Sequence, residues 1–320
     1  FGKFVSELGG QYITAEDSGT SLEDMEVIRS TNKWVTGVAP ENGGSGDPSP
    51  FTALGVRRGI EAAVNFVMKQ DDIAGLHVAV QGIGHVGYYL CKELHALGAK
   101  LTVADVDPLK SERAEREFGA TIVPLDTLFA TECDVLAPCA LGSALNDVTI
   151  PKLRCKIVAG AANNQLAEPR HGDDLMQRGI LYAPDYALNA GGLINVATEL
   201  EGYDAAKSRA RVTKIYDTIH EIAERAQRAM KPTHQIADMM AEERLARRAG
   251  AARFDLPGAL LLAAAKPVQI VIAVRGVPEQ MRVLVAHAIF LRHKHGGIGV
   301  EILAVGAAAQ DHVTRAAMVA

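Results

Sequence analysis

The segment Gly82-Ile-Gly-His-Val-Gly87 stands where one backbone periodicity gives way to another. Before it, Leu76-His-Val-Ala-Val-Gln81 is a short run with the look of a β-strand. After it, Val86 to Leu97 shows apolar residues at helical spacing and is closed by Gly98. A glycine-rich turn that leaves a strand and opens a helix constrains the fold more than any other feature of this chain. Gly82 permits the tight turn, Gly84 lets backbone approach a bound group, and Gly87 lets the helix pack close to the strand.

The helix that opens here turns its first amides, at His85 and Val86, towards any anion lying on the turn, and the helix dipole adds to the attraction. A second strand, Leu101-Thr-Val-Ala104, ends at Asp105, 23 residues after Gly82. That spacing suits a carboxylate that accepts hydrogen bonds from an adenosine ribose. The same carboxylate would repel a 2′-phosphate, so the pattern favours NAD over NADP. The structural alternative is a glycine-rich turn in an unrelated α/β protein, with Asp105 as a solvated strand end.

Strand-like and helix-like segments go on alternating. Pro108 to Phe118 reads as helix, and Thr121–Val123, Cys133–Ala137, Lys156–Ala159 and Ile180–Tyr182 read as strands. This predicts an α/β fold with a Rossmann-type, doubly wound parallel sheet. Upstream, Ser21 is a helix N-cap followed by acidic residues, and Thr52 to Lys69 is helical. The stretch Gly43-Gly-Ser-Gly-Asp-Pro-Ser-Pro50 marks a hinge or boundary. Downstream, 191–230 is mostly helix with a break near Gly202, and Pro232 starts a helix over Thr233 to Arg248. Residues 250–320 carry no motif. If they fold, a small α/β appendage is expected.

The chain of 320 residues is long enough for two domains, and its net charge of -5 gives no footprint for nucleic acid or an anionic membrane. The best apolar run, Leu256 to Ala265, is too short to span a bilayer and holds a Pro-Gly break. Cys91, Cys133, Cys139 and Cys155 form no CxxC pair and have no histidines at zinc spacing, so they read as small buried hydrophobes, with no metal expected. Reduced thiols and the lack of a secretory segment point to the cytoplasm. The chain starts at Phe1, already in helical register, which leads us to expect further sequence upstream.

Four segments resemble the glutamate/leucine/phenylalanine/valine dehydrogenases, most nearly the leucine branch. They are Tyr12-Ile-Thr-Ala-Glu-Asp-Ser-Gly-Thr20, Gly46-Asp-Pro-Ser-Pro-Phe-Thr-Ala-Leu-Gly55, Ala137-Pro-Cys-Ala-Leu-Gly142 with Ala159-Gly-Ala-Ala-Asn-Asn-Gln165, and Tyr182-Ala-Pro-Asp-Tyr-Ala-Leu-Asn-Ala-Gly-Gly192. They follow the family's order around the nucleotide motif, and the likeness runs from Phe1 to about Ala249. It implies NAD-dependent oxidative deamination of an L-amino acid to a 2-oxo acid and ammonia. It also implies a homo-oligomer, although the assembly of this chain stays open. Residues 1–45 would be a remnant of the substrate domain, 46–230 the NAD-binding domain, and 231–249 a helix returning to the substrate domain.

Residue by residue, the resemblance makes Asp17 the catalytic aspartate, exchanging protons with the substrate nitrogen. Its alternative is an Asx-turn acid. Thr52 would hold the nicotinamide carboxamide, or else serve as a helix N-cap. Ala140 would present backbone to the cofactor, Asn163 would contact the nicotinamide ribose, and Asn189 would lie on the α-carboxylate side of the cleft. Both asparagines could instead bond their own loops. Leu193 and Val196 would line the side-chain pocket, where apolar residues suit a branched or aromatic substrate, unless they are simply core.

The pattern breaks at two places. The family uses two lysines upstream of Tyr-Ile-Thr-Ala-Glu-Asp, one to anchor the substrate carboxylate and one to activate water. Only eleven residues precede Tyr12, Lys3 stands in another context, and Lys33 follows Asp17. Residues 251–320 match nothing in the family. The expectation is an amino acid dehydrogenase by kinship with impaired turnover as this chain stands. A non-catalytic NAD-binding module or oligomer partner is the alternative. Another Rossmann enzyme would need a His–Asp or Tyr–Lys arrangement in a matching context, and we find none.

Overall fold

The computed structural model describes residues 1–16, 20–140, 142–252, 270–271 and 285–286. Its centre is a six-stranded parallel sheet of β1 (His77–Gln81), β2 (Lys100–Ala104), β3 (Thr121–Ile122), β4 (Val135–Pro138), β5 (Ile157–Val158) and β6 (Leu181–Tyr182). The spatial order is β3-β2-β1-β4-β5-β6. The chain therefore winds outward in one direction from β1 and then returns to wind in the other from β4. All six strand-like segments read from the sequence are present: β1, β3, β5 and β6 are one or two residues shorter than read, β2 starts one residue earlier, and β4 starts two residues later and ends one later.

The helices are α1 (Gly2–Glu7), α2 (Leu22–Arg29), α3 (Ser49–Met68), α4 (His85–Ala96), α5 (Pro108–Phe118), α6 (Leu125–Leu128), α7 (Arg170–Gln177), α8 (Asp185–Leu188), α9 (Gly191–Thr198), α10 (Ala205–Val212), α11 (Ile215–Ala229) and α12 (Thr233–Ala252). Ser21 caps α2 through a reciprocal capping box with Asp24. The break expected near Gly202 is there, at a φ of 87°. A second break separates α10 from α11, and α12 runs on past Arg248. The tail reading falls outside the described residues, apart from Ile270–Val271 paired antiparallel with Val285–Ala286.

Successive strand residues point to opposite faces, and here both faces are covered. Val78, Val80, Val103, Val135 and Ile157 are buried under α3, α4, α5 and α11. Ala79, Leu136, Val158 and Tyr182 are buried on the other face with Leu128 of α6 and Leu175 of α7. This explains why the strands read as nearly continuous apolar runs. Each fully buried valine or isoleucine contributes about 1.5–3 kcal/mol. All four cysteines are free thiols; three are buried and Cys139 is half-buried. Among the described residues, no helix is long and apolar enough to cross a membrane.

Candidate active site

The carboxyl ends of β1 and β4 lie side by side where the winding reverses, the usual place for a ligand in open α/β sheets. β1 runs into Gly82, whose φ is 88°. A Cβ there would lie 2.8 Å from the Ala140 amide nitrogen and 2.9 Å from its Cα. Gly82 is thus required both by its left-handed conformation and by the approach of the loop after β4. At Gly87 a Cβ would sit 2.0 Å from the Gly82 carbonyl oxygen, so α4 can dock on the turn only without a side chain there. At Gly84 nothing lies within 4 Å of the corresponding point. The space above Gly84 is open to a ligand, whereas the other two positions are filled by the protein's own backbone. His85 is exposed and Val86 half-buried in the first turn of α4, with their amides at the open end of the helix.

Asp105 follows β2 and is half-buried. Its Oδ2 accepts from the Ile83 amide at 2.5 Å and its Oδ1 from the Asp107 amide at 2.8 Å. The acid therefore braces the glycine turn from the neighbouring strand.

The loop after β4 is stitched to the loop after β5. The Ala162 amide donates to the Pro138 carbonyl at 2.9 Å, and the Ser143 amide donates to the Asn164 carbonyl at 2.7 Å. Asn163 is exposed at the tip. Asn189, at the end of α8, donates from Nδ2 to the Ala161 carbonyl at 3.0 Å and to the side-chain oxygen of Asn163. Thr52 joins from α3. It is not the N-cap; it lies within the first turn and donates from Oγ1 to the Pro48 carbonyl at 3.1 Å. A Cβ at Gly192 would lie 2.5 Å from that Oγ1, and one at Gly191 would lie 2.1 Å from the Phe51 carbonyl oxygen. The Gly-Gly pair thus lets α9 settle against α3 and brings Thr52 beside the Asn189 loop.

Seven of the twelve described candidate residues, Gly82, Gly84, His85, Val86, Gly87, Asp105 and Ala140, surround the glycine turn, while Asn163, Asn189 and Thr52 gather across the ends of β4 to β6. Leu193 is half-buried and Val196 buried on α9, whose Ile194 packs against the main core. Asp17 lies outside the described residues.

The sequence model described as Glutamate/Leucine/Phenylalanine/Valine dehydrogenase matches residues 43–109 and 104–253. The chain belongs to this family. It is 53% identical over 244 residues to the leucine dehydrogenase of Thermoactinomyces intermedius, covering 76% of this chain and 67% of that protein. It is 45% identical over 249 residues to the valine dehydrogenase of Streptomyces albus, covering 77% and 68%. The crystal structure of L-tryptophan dehydrogenase from Nostoc punctiforme superposes with a TM-score of 0.68 at 44% identity, covering 76% of this chain and 70% of that one. A hetero-hexameric glutamate dehydrogenase from Thermus thermophilus reaches a TM-score of 0.60 at 23% identity and shares the fold.

For an amino acid dehydrogenase fold, three further residues stand out. Glu199 reaches back to the segment before α3, where its Oε1 accepts from the Gly37 amide at 2.8 Å, the Ser45 amide at 2.6 Å and the Ser45 hydroxyl. Gln165 is fully buried, and Asp185 is 7% exposed. Burial without a facing cation pushes the Asp185 carboxyl above the usual carboxylate range, against the pull of backbone amides. Both Gln165 and Asp185 lay inside motifs legible in the sequence. Their role was not legible, because it consists of contacts between loops.

Proposed function

We propose that this chain carries the catalytic framework for NAD-dependent oxidative deamination of a branched-chain or other apolar L-amino acid. The products would be the 2-oxo acid, ammonium and NADH, with water supplying the keto oxygen. The observation that supports this most is the open space above Gly84 in a tight Gly82–Gly87 turn, with the Asn163–Asn189 pair on the loops that follow the neighbouring strands β5 and β6. The residues present fit a dinucleotide. The amides of His85 and Val86 bind the pyrophosphate, Asp105 accepts from the adenosine ribose, and Ala140 offers backbone along the diphosphate. Asn163 holds the second ribose and Thr52 the carboxamide.

When bound, the nicotinamide supplies the acceptor for the hydride leaving the substrate Cα. Around it, three groups of this chain's residues have a part. Asn189 orients the substrate on its α-carboxylate side, Leu193 and Val196 pack its apolar side chain and exclude water, and Asp17 takes a proton from the amine and returns one to the departing nitrogen. Residues 46–230 form the nucleotide-binding unit of this reading, with 1–45 and 231–249 on the substrate side. Free, mostly buried thiols suit a reducing compartment such as the cytoplasm. A homo-oligomer is the natural assembly by kinship.

The test has two stages. NADH should quench or enhance fluorescence saturably on the folded chain. Turnover of L-leucine with NAD, measured on residues 1–320 by themselves, should then lie at least a hundredfold below a typical ~10 per second, because these residues place no lysine in the family's context for anchoring the carboxylate and activating water. Adding a segment that supplies those lysines should restore it. Binding with no restoration would favour a non-catalytic nucleotide-binding module, and the absence of NADH binding would overturn both readings.

A further inference from the structure

Asn163 and Asn189 stand on different loops, so something has to hold them together. Asp185 does so from both sides. Its carboxylate Oδ2 accepts from the Gln165 amide at 2.8 Å and Oδ1 from the Tyr186 amide at 2.7 Å. Its main-chain carbonyl accepts from the Asn189 amide at 2.8 Å. Gln165 then closes the other loop on itself: its Nε2 donates to the Gly160 carbonyl at 2.8 Å and the Ala162 carbonyl at 3.0 Å, on either side of Ala161. The Ala161 carbonyl is an acceptor for Asn189. The bonds therefore form a closed ring from Asp185 through Gln165, the 160–163 loop and Asn189 back to Asp185.

A buried carboxylate is expensive to keep without a cation, and a hydrophobic residue would serve better if only packing were needed. Here one carboxylate oxygen reaches across to the Gln165 amide while the other takes the adjacent Tyr186 amide at the start of α8, so the side chain clamps the 160–165 loop to the short helix that ends at Asn189. We propose that Asp185 and Gln165 are positioning residues that brace the Asn163 and Asn189 loops and thereby set the nicotinamide half of the dinucleotide site. This rests on the dinucleotide reading given above. Neither side chain touches the dinucleotide itself; without the ring, the two asparagines sample other arrangements and the binding-competent fraction falls.

The adenosine half of the site, from Gly82 to Gly87 with Asp105, lies outside the ring. ADP occupies only that half, and NADH occupies both. The full chain, Asp185→Asn and Gln165→Met are titrated with ADP by calorimetry and with NADH by fluorescence. Asp185→Asn turns one acceptor into a donor facing a backbone N–H, and Gln165→Met keeps length while freeing two carbonyls. Each should weaken NADH about tenfold, the size expected when a buried group loses its partner, and leave ADP within about twofold.

If Asp185→Asn fails to fold, Gln165→Met carries the same expectation, with ADP binding as its folding control. Unchanged NADH affinity in a folded variant overturns the brace, and so does a parallel fall in ADP and NADH affinity. A wild-type chain that binds ADP but not NADH removes the nicotinamide half of the reading, and the brace with it. A wild-type chain that binds neither overturns the nucleotide reading itself.

Discussion

The side-chain amide of Asn189 donates to the side-chain oxygen of Asn163, across the loops that follow β5 and β6. On our reading the first faces substrate and the second faces cofactor. The contact makes the two subsites a single mechanical unit.

Asn189→Ala should therefore weaken NADH about three- to tenfold, although Asn189 is assigned to the substrate. The double variant with Asn163→Ala should fall short of the sum of the two single effects, with a coupling of about 0.5–3 kcal/mol. A double-mutant cycle on NADH affinity measures this, and strict additivity would show that the pair acts independently.

Two glycines of one motif should fail in different ways. Gly87→Ala puts a methyl into the Gly82 carbonyl and should lower stability by about 1–3 kcal/mol, read from the urea midpoint. Gly84→Ala meets no atom and has an ordinary negative φ of -70°, so stability should stay within about 0.5 kcal/mol. Its NADH affinity should nevertheless drop about tenfold, because the new methyl points where a pyrophosphate must approach. Equal behaviour of the two variants would contradict the assignment of the open space.

Asp105 sets the cofactor charge preference through its carboxylate. Asp105→Asn keeps an acceptor for the Ile83 amide and removes the negative charge. NADPH affinity relative to NADH should rise about five- to tenfold, the scale of the ~1 kcal/mol between two unit charges about 4 Å apart in water. Paired titrations with the two reduced dinucleotides test it; an unchanged ratio would assign discrimination to another group.

Asp147, His171 and Asp174 bring ligand-type atoms within 4.8 Å of one another, but the cluster behaves as an ion-pair network. His171 Nδ1 accepts from the Glu168 amide at 2.9 Å, which leaves an N–H on Nε2 facing Asp147. Arg170 bonds Asp147 at 2.7 Å. These partners, Arg170 first, hold the Asp147 carboxyl down to about 2 from an ordinary 3.8. A depressed acid stabilises the folded state above its unfolded pKa, and that contribution is lost as pH falls towards the folded value. The urea midpoint of Asp147→Asn should thus lie below wild type at pH 7, and the gap should close between about pH 4 and 2. The effect is small because the site is exposed. A gap independent of pH would remove the ionic explanation.

Whereas α6, α7 and α8 were not read, the six strands, the longer helices, the glycine turn and the acid after β2 were legible in the order of residues. Each depends on periodicity or turn chemistry within a few neighbours, and Asp105 is tied to the turn by a fixed strand–helix–strand unit. The capping box at Ser21 is equally local. Which loops meet was not legible. Thr52 reaches the Asn189 loop only because α3 and α9 close on the Gly191–Gly192 pair, and Asp185 reaches Gln165 only because β5 and β6 are neighbours in the sheet. Such contacts depend on strand order and helix docking, which set the spatial distance between residues far apart in the chain.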